Sequence, residues 1–184
     1  MSSTSPAGAR GISHLVLNVR DIEVSHRFWT ETMGWEQCGD LHEPNPLGTT
    51  MRFYRGNHEH HHDLALVQIP DADQLPPVDA WTMRPTGVGV NHIAIEYDRD
   101  SWLRQLEHLQ ASGVRFVLRG NHGMTHSVYI VDPDGYGLEL LYDVPRDAWE
   151  GDLDAALNHF EMLPNKGPEA LEDSTDYTSF GAAR

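Results

Sequence analysis

Hydrophobic and polar positions alternate over residues 12–19, which puts Ile12, His14, Val16 and Asn18 on one face of an extended segment. The period then changes. Val24, Phe28, Trp29 and Met33 recur at helical spacing, Asp21 stands where an N-cap is needed, and Gly34 closes the run. Residues 35–39, 49–55 and 62–69 return to strand character. The order over residues 10–70 is therefore β-α-β-β-β.

The same order returns over residues 88–145. Residues 90–97 read as a strand. Asp98 or Asp100 caps a helix whose buried stripe is Trp102, Leu103, Leu106 and Leu109, and Gly113 stops it. Residues 114–118, 126–131 and 137–142 read as strands. Asp132-Pro133-Asp134-Gly135 forms a type I turn before the last, with Pro presetting φ at its second position. Pro76, Pro77 and Pro85 mark residues 71–87 as a linker. Residues 1–9 read as a loose tail, residues 146–163 as partly helical, and residues 165–184 as a polar, mobile end. The expected fold class is α+β: two paired βαβββ modules in one domain, forming a curved mixed sheet or half-barrel.

The repeat extends to the residues themselves. Gly11-Ile12-Ser13-His14-Leu15-Val16-Leu17 comes back as Gly89-Val90-Asn91-His92-Ile93-Ala94-Ile95, with a histidine at the same internal place. A lone histidine on a strand is more often a core or surface residue than a ligand; the equivalence of His14 and His92 singles them out. Glu139 lies among Leu138, Leu140 and Leu141 on the second module's last strand. A carboxylate there needs a partner, either a metal, an Arg or solvent, or it costs several kcal/mol. Counting the same offset from His14 lands on His60-His61-His62-Asp63, so the matching slot of module one holds histidine or its neighbours. Two imidazoles and one carboxylate suit Fe(II), Mn(II), Co(II), Ni(II) or Zn(II), and as a facial triad they leave half of an octahedron open.

Composition narrows the partners. The formal net charge of −15 disfavours nucleic acid and anionic membrane surfaces. No apolar run approaches the roughly 20 residues of a membrane helix, and residues 1–9 lack the apolar core of an export signal. The single cysteine, Cys38, excludes an internal disulfide and a multi-cysteine metal site, and a reducing cytoplasm is the expected compartment. Trp81, Met83, Trp149, Phe160 and Met162 are candidates for an apolar pocket, against the plainer reading of core packing.

These features resemble the vicinal oxygen chelate superfamily, and within it the catalytic half of the type I extradiol (catechol 2,3-type) dioxygenases in a compact single-domain form. The resemblance covers about residues 10–149. Its strongest segment runs from His122-Gly123-Met124-Thr125-His126-Ser127-Val128-Tyr129 through the Asp-Pro-Asp-Gly turn to Glu139; His61-His62-Asp63-Leu64-Ala65-Leu66 is also dioxygenase-like. It implies iron(II) on His14, His92 and Glu139, with manganese(II) the alternative. It makes His62 the acid–base residue, with His61 its neighbour one register step away. His122 and Tyr129 would hold and polarise the substrate oxygens. Dioxygen would be co-substrate, a small catecholic aromatic the substrate, and the chain would self-associate. A glyoxalase-like metal-dependent isomerase or lyase, using two carboxylates and no oxygen, is the rival on the same fold. A metal-free drug-binding protein is the other.

Overall fold

The computed structural model describes residues 11–42, 44–45, 48–84 and 87–181. The tail expected at residues 1–9 lies outside them. The chain divides into two compact units, one ending at Leu75 and one beginning at Pro76. No described helix is long and apolar enough to cross a membrane.

In the first unit, β1 (Leu15–Val19) leads into α1 (Ile22–Arg27), then β2 (Glu36–Asp40), β3 (Met51–Arg55) and β4 (Leu64–Gln68). The Asp21 carboxylate accepts from the N–H groups of Glu23 and Val24, satisfying two of the donors a helix start leaves open. After Arg27 the helix widens into a π turn over Phe28–Thr32, which keeps Trp29 in the core, and Gly34 leaves it at φ +74°. The sheet order is β1-β4-β3-β2, with β1 parallel to β4 and the rest antiparallel.

The second unit repeats the plan. It holds β5 (Ile93–Glu96), α2 (Arg99–Ala111), β6 (Leu118–Asn121), β7 (Thr125–Val131) and β8 (Gly137–Asp143). Asp98, the first of the two candidates, is the N-cap of α2. Trp102, Leu106 and Leu109 are buried, as the helical stripe requires, and the Trp102 indole donates to the Leu140 carbonyl at 2.8 Å. The Asp132–Gly135 turn closes with the Gly135 N–H on the Asp132 carbonyl at 3.1 Å. After a short helix α3 (Leu153–Leu157), a ninth strand, β9 (Glu161–Leu163), joins the far edge. The order is β5-β8-β7-β6-β9. The fold is thus α+β with mixed sheets of four and five strands and no closed barrel.

Three differences from the sequence reading have physical causes. Both histidine-bearing strands begin one residue after their histidine, at Leu15 and Ile93, because pairing with β4 and β8 starts there. The strand expected at residues 114–118 lies instead at Leu118–Asn121. Residues 114–117 serve as the exit from α2, tied by the Val114 N–H to the Leu109 carbonyl. Its apolar residues suggested a strand there, whereas the true strand, Leu-Arg-Gly-Asn, has poor β-propensity and is held by neighbours on both sides. The third concerns residues 165–173, expected to be loose. The Asp173 side chain is 1% exposed and accepts from His126 Nδ1 at 2.8 Å and the Tyr142 hydroxyl at 2.5 Å, while the buried Arg119 guanidinium donates to the carbonyls of Pro164, Glu169 and Glu172.

Candidate functional site

In the second unit the pairing of β7 with β8 sets Tyr129 opposite Glu139. Strand alternation then puts both side chains on one face, away from the α2 face where Val128, Leu138 and Leu140 pack. The Tyr129 hydroxyl donates to Glu139 Oε1 at 2.6 Å and lies 3.0 Å from His122 Nε2. A tyrosine has one proton, and an ionised carboxylate only accepts, so His122 Nε2–H donates to the tyrosine oxygen. Glu139 Oε2 lies 3.0 Å from His92 Nε2. One polar row therefore crosses the sheet: His92 at the head of β5, Glu139 on β8, Tyr129 on β7 and His122 just beyond β6.

Burial sets the electrostatics of this row. It raises the Tyr129 pKa well above the usual phenol range, and the hydrogen bond to Glu139 adds to the effect, so the hydroxyl stays protonated. Burial lowers the His122 pKa; the Glu139 charge works against that without cancelling it. Glu139 itself is only 7% exposed.

His92 Nδ1 lies 2.8 Å from Asn91 Oδ1. A neutral ring with its Nδ1–H on that amide oxygen turns the Nε2 lone pair toward the Glu139 carboxylate. Two lone pairs 3.0 Å apart repel unless a proton or a cation lies between them. Two ligands about 2.1 Å from one ion and roughly at right angles are separated by about 3 Å, so this donor pair fits a divalent first-row cation. The amide also supplies the outer hydrogen bond that usually orients a ligating imidazole. His14 Nδ1 lies 3.3 Å from the Ser13 hydroxyl, so both repeated histidines have Nδ1 beside the polar side chain just before them. Ser13 and Asn91 are equivalent in the repeat, a sequence signal that was there to be read. Among the described residues no group of three or more His, Cys, Asp or Glu side chains is gathered to hold a metal.

In the first unit, His14 immediately precedes β1, and its ring centroid lies 4.4 Å from that of His62 and 6.0 Å from that of His61. His62 also meets Phe53 at 5.1 Å. Burial lowers the His62 pKa, and the neighbouring His14 and His61 lower it further. Asp63 is engaged by the Gly56 N–H and by His60.

Sheet register corrects one expectation drawn from counting along the chain. Glu139 pairs with Ala94. The equivalent pair in the first unit is Val16 with Ala65, because Leu15–Leu64 matches Ile93–Leu138. The slot matching Glu139 is Ala65, fully buried, and not the run of histidines before it. The loops before β4 and β8 differ in length, which a fixed offset ignores.

Two glycines missed by sequence reading shape the same face of the second sheet. A Cβ on Gly137 would lie 2.5 Å from the Trp81 ring, and one on Gly120 would lie 2.7 Å from the Phe160 ring. Each glycine lets an aromatic ring come close to the backbone. Trp81 stacks on Tyr129 at 5.8 Å and 17°, and Phe160 meets His122 at 5.1 Å. A cleft of about 330 Å³ opens beside His92 and Trp81, with Arg84 and Asn91 in its wall. Of the other apolar-pocket candidates, Trp149 packs under Arg146 and donates to the Val144 carbonyl, while Met83 is exposed.

The chain belongs to the Glyoxalase/Bleomycin resistance protein/Dioxygenase superfamily, whose family model matches residues 11–140. That superfamily includes enzymes, and its members are commonly metal-dependent. The chain is 35% identical over 86 residues to biphenyl-2,3-diol 1,2-dioxygenase 2 of Rhodococcus globerulus, covering 46% of this chain and 42% of that one. It is 26% identical over 142 residues to catechol-2,3-dioxygenase of Bacillus subtilis, covering 77% and 44%. Each match spans less than half of the dioxygenase's own length. A "Probable lactoylglutathione lyase" of Vibrio parahaemolyticus is 29% identical over 145 residues, covering 74% of this chain and 94% of that one. Among solved structures, a glyoxylase/bleomycin resistance protein/dioxygenase domain from Frankia sp. superposes with a TM-score of 0.58 at 20% identity, over 74% of this chain and 99% of that one. At that identity the likeness speaks for the fold.

Proposed function

We propose that the protein is an extradiol ring-cleaving dioxygenase acting on a catecholic substrate, with His14, His92 and Glu139 as its metal ligands. The observation that carries this reading is Ala65. A lyase of the glyoxalase type would use a carboxylate in each half, and the slot equivalent to Glu139 offers a methyl group instead. The ligand set is then two histidines and one acid, which leaves coordination positions for a bidentate diol and for dioxygen. The two named dioxygenases among its relatives support the same reading.

Iron(II), or manganese(II) as the alternative, would supply the redox chemistry that joins dioxygen to the diol. The chain's own residues do the rest. The Asn91 side chain orients His92. Tyr129 stays protonated and holds the Glu139 carboxylate at a fixed angle. His122, whose pKa burial lowers, donates its Nε2–H to the Tyr129 oxygen and so fixes the hydroxyl beside the position a substrate oxygen would take. His62 is assigned proton transfer: its imidazole would take a proton from a diol hydroxyl and return it to the substrate later in turnover. Trp81 excludes water from one side of the row.

The test is anaerobic purification, loading with Fe(II), and a panel of catechols read by oxygen uptake and by absorbance of the ring-opened product. Oxygen uptake with at least one diol is expected; none with any diol would sink the proposal. One observation favours a second reading. The Vibrio protein described as a lyase is matched over nearly its whole length. Turnover of a hemithioacetal after Zn(II) or Ni(II) loading, with no oxygen consumed, would favour an isomerase or lyase.

A further inference from the structure

The turn that carries His122 is gripped by a segment far along the chain. Asn121 pairs with His126, and the His122 N–H donates to the Thr125 carbonyl at 2.9 Å, so residues 122–125 form the tight turn of the β6–β7 hairpin. Gly123 stands in that turn at φ +78°, a conformation that favours glycine. It has a second reason to be glycine. A Cβ there would lie 2.8 Å from the Phe180 ring and 3.3 Å from the Ala156 carbonyl oxygen. Two contacts fix Phe180 in place: its N–H donates to the Ala148 carbonyl at 2.7 Å, and its ring meets that of His159 at 5.2 Å. Earlier in the same segment Asp173 accepts from His126 Nδ1 at 2.8 Å. The segment after β9 therefore holds the hairpin at two points, Asp173 on His126 and Phe180 on Gly123.

These contacts reach the candidate site through His122. Its Nε2–H donates to the Tyr129 oxygen at 3.0 Å, and the Tyr129 hydroxyl donates to Glu139. The backbone of the turn is tied by the Gly123 N–H on Asn121 Oδ1 at 2.8 Å and by the Val144 N–H on the Met124 carbonyl at 2.9 Å. Glycine nevertheless has the widest backbone freedom of any residue, and here it is the residue next to His122. A ring packed on it removes that freedom, because rotation about the glycine bonds would drive the backbone into the ring. We infer that Phe180 is a positioning residue: pressed on Gly123, it fixes the turn and so holds the His122 Nε2–H on the Tyr129 oxygen. The inference rests on the dioxygenase reading for what that oxygen does in turnover.

The experiment follows exchange of the His122 ring N–H with solvent by proton NMR in the metal-free protein, the resonance assigned by its loss in His122→Gln. The Trp102 indole N–H, bonded to the Leu140 carbonyl in the same unit, is the reference for opening of the whole fold. Phe180→Leu should speed exchange at His122 about threefold and Phe180→Ala about tenfold, with Trp102 unchanged. Should Phe180→Ala not fold, Phe180→Leu decides alone. Equal exchange at His122 in the unaltered chain and the variants, or a rise matched by Trp102, would overturn the inference. The Fe(II)-loaded proteins are assayed alongside with catechol, where Phe180→Ala should lower kcat about tenfold and leave KM within about twofold. Faster exchange at His122 alone, with no oxygen uptake by any form, sinks the dioxygenase reading and leaves the positioning role standing. Oxygen uptake with the same kcat in the unaltered chain and in Phe180→Ala does the reverse.

Discussion

Tyr129 carries more of the candidate site than any other single side chain. Its hydroxyl joins Glu139 to His122, and its ring carries Trp81. Tyr129→Phe removes one oxygen and leaves both neighbours short of a partner without opening a cavity. The fold and the bound iron should persist, while kcat falls by roughly 10²-fold; steady-state oxygen uptake with metal analysis of the same samples checks both. His62 is the second test at this scale. His62→Ala should keep its iron and lose roughly 10²–10⁴-fold in turnover. If metal is lost instead, His62 is a ligand and the assigned role is wrong. Repetition marks His14 and His92 in the sequence and Glu139 stands out among leucines; of these, the structure brings His92 and Glu139 together. Ala65 was not legible, since only hydrogen-bonded register says which residue faces Val16.

Among the elements, β6 and the segment after β9 depend on each other. Arg119 is buried beneath Trp102, its guanidinium 5.2 Å from that ring; its Nη1 donates to the carbonyls of Pro164, Glu169 and Glu172 and its Nη2 to Asp173, while Nε has no partner among the described residues. A buried guanidinium without those acceptors would be costly. Asp173→Asn should therefore cost about 3 kcal/mol in a denaturant titration at pH 7. The same residue predicts a pH effect. Burial pushes Asp173 up, but the hydrogen bonds from His126 and Tyr142 and the Arg119 charge outweigh it and hold its pKa below the usual carboxylate range. A depressed folded pKa means that the carboxylate's stabilisation is complete above the unfolded value, about 3.9, and is lost as pH falls through the folded one. Unfolding free energy should decline more steeply below about pH 4 in the unaltered protein than in Asp173→Asn. Equal slopes would show that Asp173 is not the group responsible. None of this was visible beforehand, because a polar segment next to the end of a chain has no local pattern that reveals a buried arginine waiting for its carbonyls.

For the whole molecule, two units of the same plan share one chain. A metal that binds only the folded protein must stabilise it by mass action. Fe(II) added without oxygen at about one hundred times its dissociation constant should raise stability by about 2.7 kcal/mol, seen as an upward shift of Tm. Chelation should reverse the shift. Glu139→Gln and His92→Ala should each abolish it, and an unchanged response in both variants would remove these residues from the metal site.

The sequence alone determined the two β-α-β-β-β modules, the caps at Asp21 and Asp98, the Asp132–Gly135 turn and the paired histidines. These are local or periodic features, written by side-chain alternation and backbone preference within a few residues. Tertiary structure decided what depends on partners distant in the chain. It set Ala65 opposite Val16, moved the sixth strand to residues with little strand preference, and bound the polar end through Asp173. It also laid Trp81 and Phe160 on glycines, where only the missing Cβ of a residue far away in sequence makes room for a ring.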